Sequence, residues 1–343
     1  MTANRVVTSF VESCTHCGSC RSVCPFLEQY GDPAEIIGRA DDTVFLCTNC
    51  GACTQVCPSA LNPADALYAT KSMRLKSAVL SASVQRAHRS ALAFAQRGHS
   101  LPFCAWKPAR TVFWPGCGLA GTNPALVGVV VRHLAKHLHE QVGIVLDCCF
   151  DPLWQLGDVE AVDDAISCIQ NRLRRSGVKT IITGCINCTK VLEPRLPTLS
   201  VRHVLTVLPA PLFRDMPSGA AFHHPCPSVR IGGLREHALA IAVRSADGAE
   251  APQCCGCGGG LRGLEPELAG RFAGKIAKQA GSAVVTYCMG CKNTFIKEGR
   301  SSTHLLELLE GASAVTTPVP GMKKWINRLI LRLRLAFASI TAR

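Results

Sequence analysis

Short apolar runs alternate with helix-patterned segments through the middle of the chain, and this alternation sets the predicted fold class. From residue 110 to about residue 312, β-branched and aromatic runs are followed by longer stretches with helical periodicity. Residues 76–100 are rich in Ala and Ser and predict a connector helix, which ends where two prolines follow. The pattern predicts an α/β chain, with helical segments before and after the alternating region.

One of these apolar runs leads into a glycine motif. Residues 111–123 read TVFWPGCGLAGTN, a helical pattern follows at 124–138, and GIVLD ends at Asp147. Strand, G-x-G-x-x-G turn, helix, strand and acid are the order of a dinucleotide-binding fingerprint. However, Cys117 occupies the second position of the loop, and Cys148 and Cys149 follow Asp147 directly. These cysteines favour a site built on sulfur.

The cysteines of the middle region form an internal repeat. Each copy has a single Cys after a β-type run, then a Cys-Cys pair, then Cys-x-x-Cys after a second β-branched run. The first copy contains Cys117, Cys148, Cys149, Cys185 and Cys188, and the second contains Cys226, Cys254, Cys255, Cys288 and Cys291. The second copy lacks the glycine fingerprint but keeps the cysteine, so the cysteine is the predicted functional residue. In both copies the last pair follows a predicted buried strand, at whose carboxyl end α/β sites form.

The N-terminal region carries a different cysteine pattern. Residues 14–25 read CTHCGSCRSVCP and residues 47–58 read CTNCGACTQVCP, and both are the C-x₂-C-x₂-C-x₃-C-P run of two-cluster ferredoxins. In such runs the fourth cysteine ligates the other cluster. The sequence therefore predicts two cubane [4Fe–4S] clusters, one held by Cys14, Cys17, Cys20 and Cys57, and the other by Cys47, Cys50, Cys53 and Cys24.

Two alternatives bear on this N-terminal prediction. A zinc module needs only four ligands in a closed tetrahedral site, so two matching blocks with eight cysteines in total favour clusters. The residues between the blocks are helical in character, which favours a helical two-cluster ferredoxin over a β-type one. His16, inside the first block, is predicted to pack or form hydrogen bonds rather than to bind metal.

Composition narrows the class of protein further. The chain has 343 residues, 48% hydrophobic, with 21 cysteines and a formal net charge of +13. Its opening residues lack the apolar core of a signal peptide, and the cysteine spacings are those of metal sites rather than disulfides, which predicts a reducing cytoplasm. Part of the positive charge is expected to be offset by cluster thiolates.

At this point the sequence resembles a known family, the cysteine-rich "CCG" proteins. The pattern Cys … Cys-Cys-Gly … Cys-x-x-Cys, behind a two-cluster ferredoxin, resembles heterodisulfide reductase B and D subunits and the iron–sulfur subunit of anaerobic glycerol-3-phosphate dehydrogenase. The resemblance implies that each set of five cysteines holds a further, noncubane [4Fe–4S] cluster. The first copy departs from the pattern, because Phe150 stands where Gly256 stands in the second. Eighteen cysteines fit the two patterns, and the remaining Cys104, Cys168 and Cys257 are expected to be ordinary buried or loop residues.

The C-terminal tail predicts a basic amphipathic helix. Its apolar side chains fall within roughly 140° of arc at helical spacing, namely Trp325, Ile326, Leu329, Ile330, Leu333, Phe337 and Ile340. Lys324, Arg328 and Arg332 lie on the other side, while Lys323 and Arg334 border the apolar arc. Such a helix either contacts a membrane surface, through residues 322–343, or docks on this chain or on a partner subunit.

The predicted organisation has five parts: the ferredoxin domain 1–75, the connector 76–109, the first CCG-type repeat 110–217, the second 218–312, and the tail 313–343.

Without a flavin or NAD site in view, the chain is predicted to pass electrons from a flavoprotein or other dehydrogenase partner to a membrane quinone or cytochrome subunit at the inner face of the cell membrane. The alternative is a disulfide or heterodisulfide reductase that cleaves its substrate at the CCG clusters. A zinc-binding module that recognises nucleic acid is disfavoured, because basic and aromatic residues do not interleave. His203 and His304 are expected to be structural, and His223 and His224 are candidates for hydrogen bonds to a cluster.

Overall fold

The protein is a mixed helix-and-sheet chain, described by a computed structural model over residues 3–76, 79–242, 253–279 and 283–337. Its helices are α1 (Ala3–Ser13), α2 (Ser19–Val23), α3 (Pro25–Tyr30), α4 (Pro33–Gly38), α5 (Ala52–Gln55), α6 (Pro63–Leu75), α7 (Ala82–His99), α8 (Gly116–Thr122), α9 (Pro124–Leu138), α10 (Asp151–Gln155), α11 (Val159–Arg175), α12 (Ile186–Leu192), α13 (Leu234–Ala242), α14 (Leu261–Leu264), α15 (Pro266–Gln279), α16 (Met289–Lys297) and α17 (Gly321–Phe337). Its strands are β1 (Ala105–Lys107), β2 (Thr111–Trp114), β3 (Val142–Leu146), β4 (Thr180–Thr183), β5 (Ser200–His203), β6 (Ala221–His223), β7 (Ala283–Thr286) and β8 (Ser301–His304). Short 3-10 helices connect several of these elements.

The chain divides into two compact units. The first unit consists of Met1–Ala93, Pro152–Val162 and Pro252–Gln279, and the second of Phe94–Asp151, Asp163–Ala251 and Ala280–Arg343. The first unit therefore adds two later segments to the N-terminal region, one of which contains the Cys254–Cys255 pair. The five linear segments named from the sequence remain a prediction.

The first unit is helical, as the sequence between the two cysteine blocks predicts. Asp32 caps α4 through the backbone N–H groups of Ala34 and Glu35, and Glu35 returns a hydrogen bond to the cap, which forms a capping box. A 3-10 helix follows at Asp42–Leu46. The core of this unit is formed by buried side chains from the helices around the cysteines, among them Phe26, Leu27, Ile36, Phe45, Leu67, Leu261 and Phe272.

The second unit contains both sheets. The larger sheet has the order β1-β3-β2-β4-β5, in which β1 runs antiparallel to β3 and the other pairs are parallel. The smaller sheet has the order β6-β7-β8 and is parallel throughout. All residues of β2 and β3 are buried, as expected for strands covered on both faces.

Local signals explain the bounds of several elements. Asn123 caps α9 through the backbone N–H of Leu126, and Pro124 occupies the first turn, where its missing N–H costs nothing. The helix ends at His139, whose backbone is left-handed with φ 53°. The predicted helix at 124–138, the connector helix and the C-terminal helix are all present, although residues 338–343 of the tail, including Ile340, lie outside the described residues.

Candidate iron–sulfur sites

The four cysteines predicted for the first cubane cluster line one cavity of the first unit. Cys14, Cys17, Cys20 and Cys57 line this cavity together with apolar side chains such as Phe10 and Leu61. Burial, together with the neighbouring Asp32 carboxylate and the thiols of Cys14 and Cys17, raises the pKa of Cys20 to about 11. Four thiols around a cavity with apolar walls fit the donor set of a cubane cluster.

The two C-x-x-C-G loops have the same backbone conformation. In the first loop His16 and Gly18 have φ values of 53° and 75°, and in the second Asn49 and Gly51 have 55° and 81°. Each glycine is the N-cap of a short helix that carries the third cysteine of its run. The positive φ of the glycine is the conformation that side chains disfavour, which explains why Gly follows the second cysteine in both blocks.

His16 is a hydrogen-bonding residue, as predicted. Its Nδ1 atom lies 2.7 Å from a carboxylate oxygen of Asp32, and this bond raises the pKa of the histidine. Asp32 is buried while the His16 side chain is half exposed. The possible ligand atoms of Cys14, His16 and Asp32 lie close enough together to hold a metal ion. However, the Asp32 side chain already caps α4.

The cysteines predicted for the second cubane cluster are also gathered in the first unit. Cys24, Cys47, Cys50 and Cys53 are all buried. Burial and the neighbouring thiols raise the pKa of Cys24 and of Cys53, because each thiolate is disfavoured beside the others. Cluster binding requires all four thiolates, so iron must displace these protons.

Two residues lie near the second cubane set that the sequence did not place there. The Lys71 side chain is fully buried, and its Nζ donates to the carbonyl of Cys47 at 2.7 Å and of Gln155 at 3.0 Å. Burial lowers the pKa of Lys71 to about 8. Cys254, assigned from the sequence to the second five-cysteine set, has its Sγ 3.1 Å from Thr48 Oγ1 and hydrogen bonds to Cys50.

The first five-cysteine set lies at one edge of the larger sheet. Cys117 follows β2, the Cys148–Cys149 pair follows β3, and Cys185 and Cys188 follow β4. Strands β3 and β4 both pair in parallel with β2, so the three carboxyl ends lie side by side. The position of these candidate ligands at strand carboxyl ends is the arrangement expected from the sequence.

These five thiols contact one another. Cys117 hydrogen bonds to Cys148, and Cys188 to both Cys149 and Cys185. The bond with Cys148 lowers the pKa of Cys117 to about 6, while the pKa of Cys148 is raised well above its usual range by the same contact. Thiols that share protons in this way are close enough to ligate a single cluster, and the donor set fits one.

The glycines of the apparent nucleotide fingerprint allow close packing, in the case of Gly116 directly against two of these cysteines. A Cβ at Gly116, where φ is 76°, would lie 2.6 Å from Cys185 Cβ and 3.2 Å from Cys188 Sγ. A Cβ at Gly118 would lie 3.3 Å from Met289 Cβ, and one at Gly121 would lie 3.0 Å from Lys324 Cβ. Each glycine therefore allows a close approach, as expected for a crowded ligand loop.

Phe150 adopts the backbone conformation that the sequence pattern assigns to glycine. Its φ is 60°, against 71° at Gly256, and its N–H donates to Cys148 Sγ at 3.4 Å. Gly256 makes the equivalent bond to Cys254 Sγ, also at 3.4 Å. The departure of the first copy from Cys-Cys-Gly therefore leaves the geometry of the turn unchanged, at the cost of a side chain in the left-handed region.

Asp147 supports the cysteine pair rather than a ribose. Its fully buried carboxylate lies 2.7 Å from His99 Nδ1 and accepts hydrogen bonds from Trp106 Nε1 at 3.1 Å and from the backbone N–H of Cys148 at 2.7 Å. The bond with Asp147 raises the pKa of His99. With this many partners already in place, the acid orients the start of the ligand turn.

The cysteines of the second predicted set are divided between the two units. Cys254 and Cys255 belong to the first unit, and Cys226, Cys288 and Cys291 to the second. Cys226 and Cys288 follow the adjacent parallel strands β6 and β7, so both lie at the carboxyl edge of the smaller sheet. Assignment of all five to one cluster remains a prediction.

The histidines after each Cys-x-x-Cys are structural. His203 Nδ1 accepts a hydrogen bond from Leu205 N–H at 3.3 Å, and His304 Nδ1 accepts one from Leu306 N–H at 3.2 Å. Each thereby caps a 3-10 helix. His223 bonds to Thr286 Oγ1 and His224 to Tyr287 Oη, and these bonds orient both rings at the end of β6.

The cysteines outside the two patterns differ in exposure. Cys104 is buried, as expected, whereas Cys168 is exposed on α11 and Cys257 is exposed after the Cys-Cys-Gly turn. Cys168 is therefore neither a buried nor a loop residue, and the expectation for it was wrong.

The C-terminal helix packs through an unexpected face. Helix α17 lies against α8, with Trp325 between the rings of Phe94 and Phe103 and Arg328 buried. The sequence places Arg328 on the polar side, away from the apolar arc. In the structure part of the apolar arc is exposed instead, at Ile326, Ile330 and Leu333. None of the helices among the described residues combines the length and apolar character needed to cross a bilayer.

Comparison with known families accounts for both cysteine systems. Residues 10–61 match the family described as 4Fe-4S dicluster domain, and residues 220–296 match the CCG family, described as Cysteine-rich domain. The chain is an iron–sulfur protein with a dicluster domain and a CCG domain. In this CCG-domain protein, the region that matches the dicluster domain contains all eight cysteines that are predicted to hold two cubane clusters.

Two individual proteins are similar to this chain, one in sequence and one in fold. The CCG-domain protein is 29% identical, over 227 residues, to the B subunit of the fumarate reductase (CoM/CoB) of Methanothermobacter marburgensis. The match covers 59% of this chain and 45% of that relative, so the chain spans less than half of the relative's length. A hypothetical protein from Helicobacter pylori has a similar fold, with a TM-score of 0.53 and 8% identity over 94% of this chain and 68% of that one.

Proposed function

We propose that this CCG-domain protein is an electron-transfer subunit of a reductase or dehydrogenase complex. The observation that carries the proposal is the convergence of all five cysteines of the first set at the carboxyl edge of β2, β3 and β4, in a chain that also has a dicluster domain. When bound, iron–sulfur clusters exchange single electrons at potentials set by their surroundings. The chain's own residues hold the ligand turns, exclude water and fix the charges around each site.

The proposal includes two tandem CCG-type repeats, 110–217 and 218–312. Two local correspondences support it. Cys185 and Cys288 both act as N-caps, with φ and ψ of −136° and 123° in the first and −129° and 120° in the second. The turns at Phe150 and Gly256 share a left-handed residue whose N–H donates to the sulfur two positions earlier. On this basis each five-cysteine set is proposed to hold one further [4Fe–4S] cluster.

A variant series tests the cluster assignments. We expect the anaerobically purified chain to contain iron and acid-labile sulfide for four clusters, of which Cys117→Ser removes one and Cys226→Ser another. Cys168→Ser is the matched control, because Cys168 is exposed and belongs to neither pattern. Iron for only two clusters, unaffected by Cys117→Ser, contradicts the proposed CCG sites and leaves the dicluster domain in place.

The partners follow from the same proposal. The relative from Methanothermobacter is named as the B subunit of a reductase, which supports association of this chain with other subunits. A flavoprotein or other dehydrogenase subunit is the proposed donor, and a membrane quinone or cytochrome subunit the proposed acceptor. Co-purification of the chain with a flavin-containing subunit from its source cells tests the donor.

A second candidate function is disulfide reduction at the CCG sites. The relative's name refers to CoM/CoB, and the CCG pattern resembles that of heterodisulfide reductase, which favours an acceptor of this class. Cleavage of one S–S bond takes two electrons and two protons and releases two thiols, with the electrons supplied by the donor through the dicluster domain. Addition of thiol under oxidising conditions should then give a new paramagnetic signal that depends on Cys117 or Cys226, and its absence contradicts this function.

Contact with a membrane surface is proposed through α17. Ile326, Ile330 and Leu333 are exposed at 47%, 39% and 39%, and basic residues such as Lys323 flank them. Ile326→Ser/Ile330→Ser should reduce flotation with anionic vesicles, whereas Val11→Ser, a residue 40% exposed on α1, should not. Truncation at Gly321 is a poorer test, because it also removes the buried Arg328. Equal flotation of both variants contradicts direct membrane contact.

A further inference from the structure

Arg328 is a buried cation on the C-terminal helix with unused hydrogen-bond donors. Only 3% of the residue is exposed. Its Nη2 donates to the carbonyl of Gly98 at 3.0 Å and to that of Phe103 at 3.4 Å. Its Nε and Nη1 form no well-aligned hydrogen bond among the described residues, although the guanidinium lies within hydrogen-bonding reach of the Cys117 side chain. Burial of a guanidinium whose N–H donors are not well satisfied costs folding free energy, so we expect a further interaction at this position.

The guanidinium lies beside the first five-cysteine set. A Cβ on Gly98 would be 3.1 Å from Arg328 Nη1 and 3.2 Å from Cys148 Cβ, so the cation and the ligand flank the same glycine. The guanidinium also interacts directly with the Cys117 side chain, through its charge and as a hydrogen-bond donor. Two of the five cysteines are therefore in the immediate surroundings of this side chain.

Nearby carboxylates do not neutralise Arg328. Asp147, the buried acid next to the cysteine pair, is already engaged by His99, Trp106 and the backbone of Cys148. Within the part of the chain that the structure describes, Arg328 forms no ion pair with an Asp or Glu. Arg328 therefore has no direct carboxylate partner among the described residues, and the thiols beside it become negatively charged when they bind a cluster.

Helix α17 is fixed in the position that delivers this side chain. Trp325 packs on Phe103 at 4.8 Å and on Phe94 at 5.3 Å between ring centroids, and Arg328 stacks over Trp325 at 5.0 Å. Asn327 Nδ2 donates to the carbonyl of Gly121 at 2.7 Å. The contacts hold the inner face of the helix against α8 and α7, where the ligand loop of Cys117 begins.

We propose that α17 completes the first five-cysteine site and that Arg328 is its charge-compensating residue, whose Nε–H and Nη1–H donate to sulfur atoms of the cluster held there. The inference rests on the proposed function, because it assumes that Cys117 and its partners hold a cluster. A fixed cation beside the site stabilises the reduced, more negative state of the cluster and so raises its reduction potential. Arg328 is a positioning residue that tunes this potential.

The test is an EPR-monitored redox titration of the iron-loaded full chain. The signal of the first CCG site is assigned by its loss in Cys117→Ser, and the cubane signals serve as internal references. In Arg328→Met we expect the ratio of oxidised to reduced cluster at a fixed potential to rise at least tenfold, which is 59 mV for a one-electron couple. Arg328→Lys, which keeps the charge but not the fork of donors, should shift the midpoint less. Arg334→Met, an exposed arginine of the same helix, should leave every midpoint unchanged.

The outcomes separate this inference from the proposed function. A wild-type midpoint in Arg328→Met at full iron content overturns the inference and leaves the cluster assignment intact. If Arg328→Met does not fold, Arg328→Lys decides, since a folded lysine variant with an unshifted midpoint indicates that Arg328 only anchors the helix. If no signal of the unmodified chain depends on Cys117, the proposed function itself fails.

Discussion

The second unit contains two stretches with a Cys-x-x-Cys pair, the first at Cys185 and Cys188 and the second at Cys288 and Cys291. They share the same arrangement of strands but are stabilised differently at the residue after the last cysteine. In each, a strand that ends in Thr pairs with a strand that ends in a capping His, as Thr183 with His203 and Thr286 with His304. In the first stretch the next residue, Thr189, forms a buried hydroxyl pair with Thr183 at 2.6 Å. In the second the equivalent residue is Lys292, which forms a fully buried ion pair with Glu307.

The comparison teaches that the cysteine geometry does not depend on what stabilises the helix behind it. A neutral hydroxyl pair and a buried ion pair support ligand turns with nearly the same backbone angles. Substitution should destabilise the ion pair more than the hydroxyl pair, because an ion pair that loses one partner leaves an uncompensated buried charge. Glu307 also accepts hydrogen bonds from Asn123 Nδ2 and from the backbone N–H of His304 and Val315, which ties the second stretch to the start of α9.

The largest effect is expected from Lys292→Met. The substitution leaves the Glu307 carboxylate buried without its cation, which should lower the free energy of unfolding by about 3–5 kcal/mol. The change is measured from the urea midpoint of the iron-loaded protein. Lys292→Met/Glu307→Gln, which removes both charges, should recover part of the loss. If the single variant is as stable as the unmodified protein, the ion pair does not stabilise the second stretch.

The next effect concerns the turn after the Cys-Cys pair. A Cβ at Gly256 would lie 2.6 Å from the Ala269 carbonyl oxygen and 2.9 Å from Phe272 Cβ, in addition to the strain of φ 71°. Gly256→Ala should therefore cost about 2–4 kcal/mol through overpacking and backbone strain. Gly263→Ala is the control, because a Cβ at Gly263 would have no other heavy atom within 4 Å among the described residues. Iron content and urea midpoint should fall in the first variant only.

The same comparison shows why Phe150 is tolerated where Gly256 is required. Phe150 is itself part of the buried core, with His99 against its ring edge at 5.9 Å between centroids. Glycine at the second turn is therefore demanded by the close approach of α15 as well as by φ. If φ alone set the requirement, Gly256→Ala would cost only the strain of a left-handed non-glycine residue, about 1–2 kcal/mol, which Phe150 already bears.

The sequence reveals those features that depend on local spacing. The strand carboxyl ends that carry Cys117 and Cys185 and the helix after Asn123 follow from periodicity and capping signals, and motif spacing predicts both cubane sets. It does not reveal Lys292, Lys71 or Arg328 as buried residues, since a charged side chain at a helical position predicts a solvated face. Their burial depends on long-range partners, such as the carbonyl of Cys47 for Lys71, which no local pattern encodes.

The helix α17 is the clearest example of this limit. A helical wheel places its arginines outward and its isoleucines inward, and the structure buries Arg328 while exposing Ile330. The thiolates that attract the guanidinium are supplied by residues about two hundred positions earlier in the chain.

A smaller effect is shared by both stretches and depends on pH. Burial lowers the pKa of His203 and of His304 to about 3, from a usual value of 6.5. Below pH 6.5 the unfolded chain binds protons that the folded chain does not, so stability falls as the pH decreases toward 3. Between pH 7.5 and 5.5 each histidine should cost about 1.4 kcal/mol.

His203→Asn and His304→Asn test this expectation while retaining a capping side chain. Each variant should lose less stability than the unmodified protein when the urea midpoint is measured at pH 7.5 and at pH 5.5. Because the clusters are common to all three proteins, their own acid sensitivity cancels in the difference. A variant with the same acid slope as the unmodified protein would show that the histidine titrates normally in the folded state.

The smallest effect is expected at the neutral counterpart of Lys292. Thr189→Val removes one hydroxyl of the buried pair and leaves Thr183 Oγ1 with only a 3.4 Å contact to the carbonyl of Arg202. The loss should be about 1 kcal/mol, because no charge is left unpaired. The urea midpoint should therefore shift several-fold less than in Lys292→Met, with the iron content unchanged. Equal shifts at the two positions would mean that the ion pair contributes no more than a hydroxyl pair, and the two stretches would then differ in sequence but not in energetics.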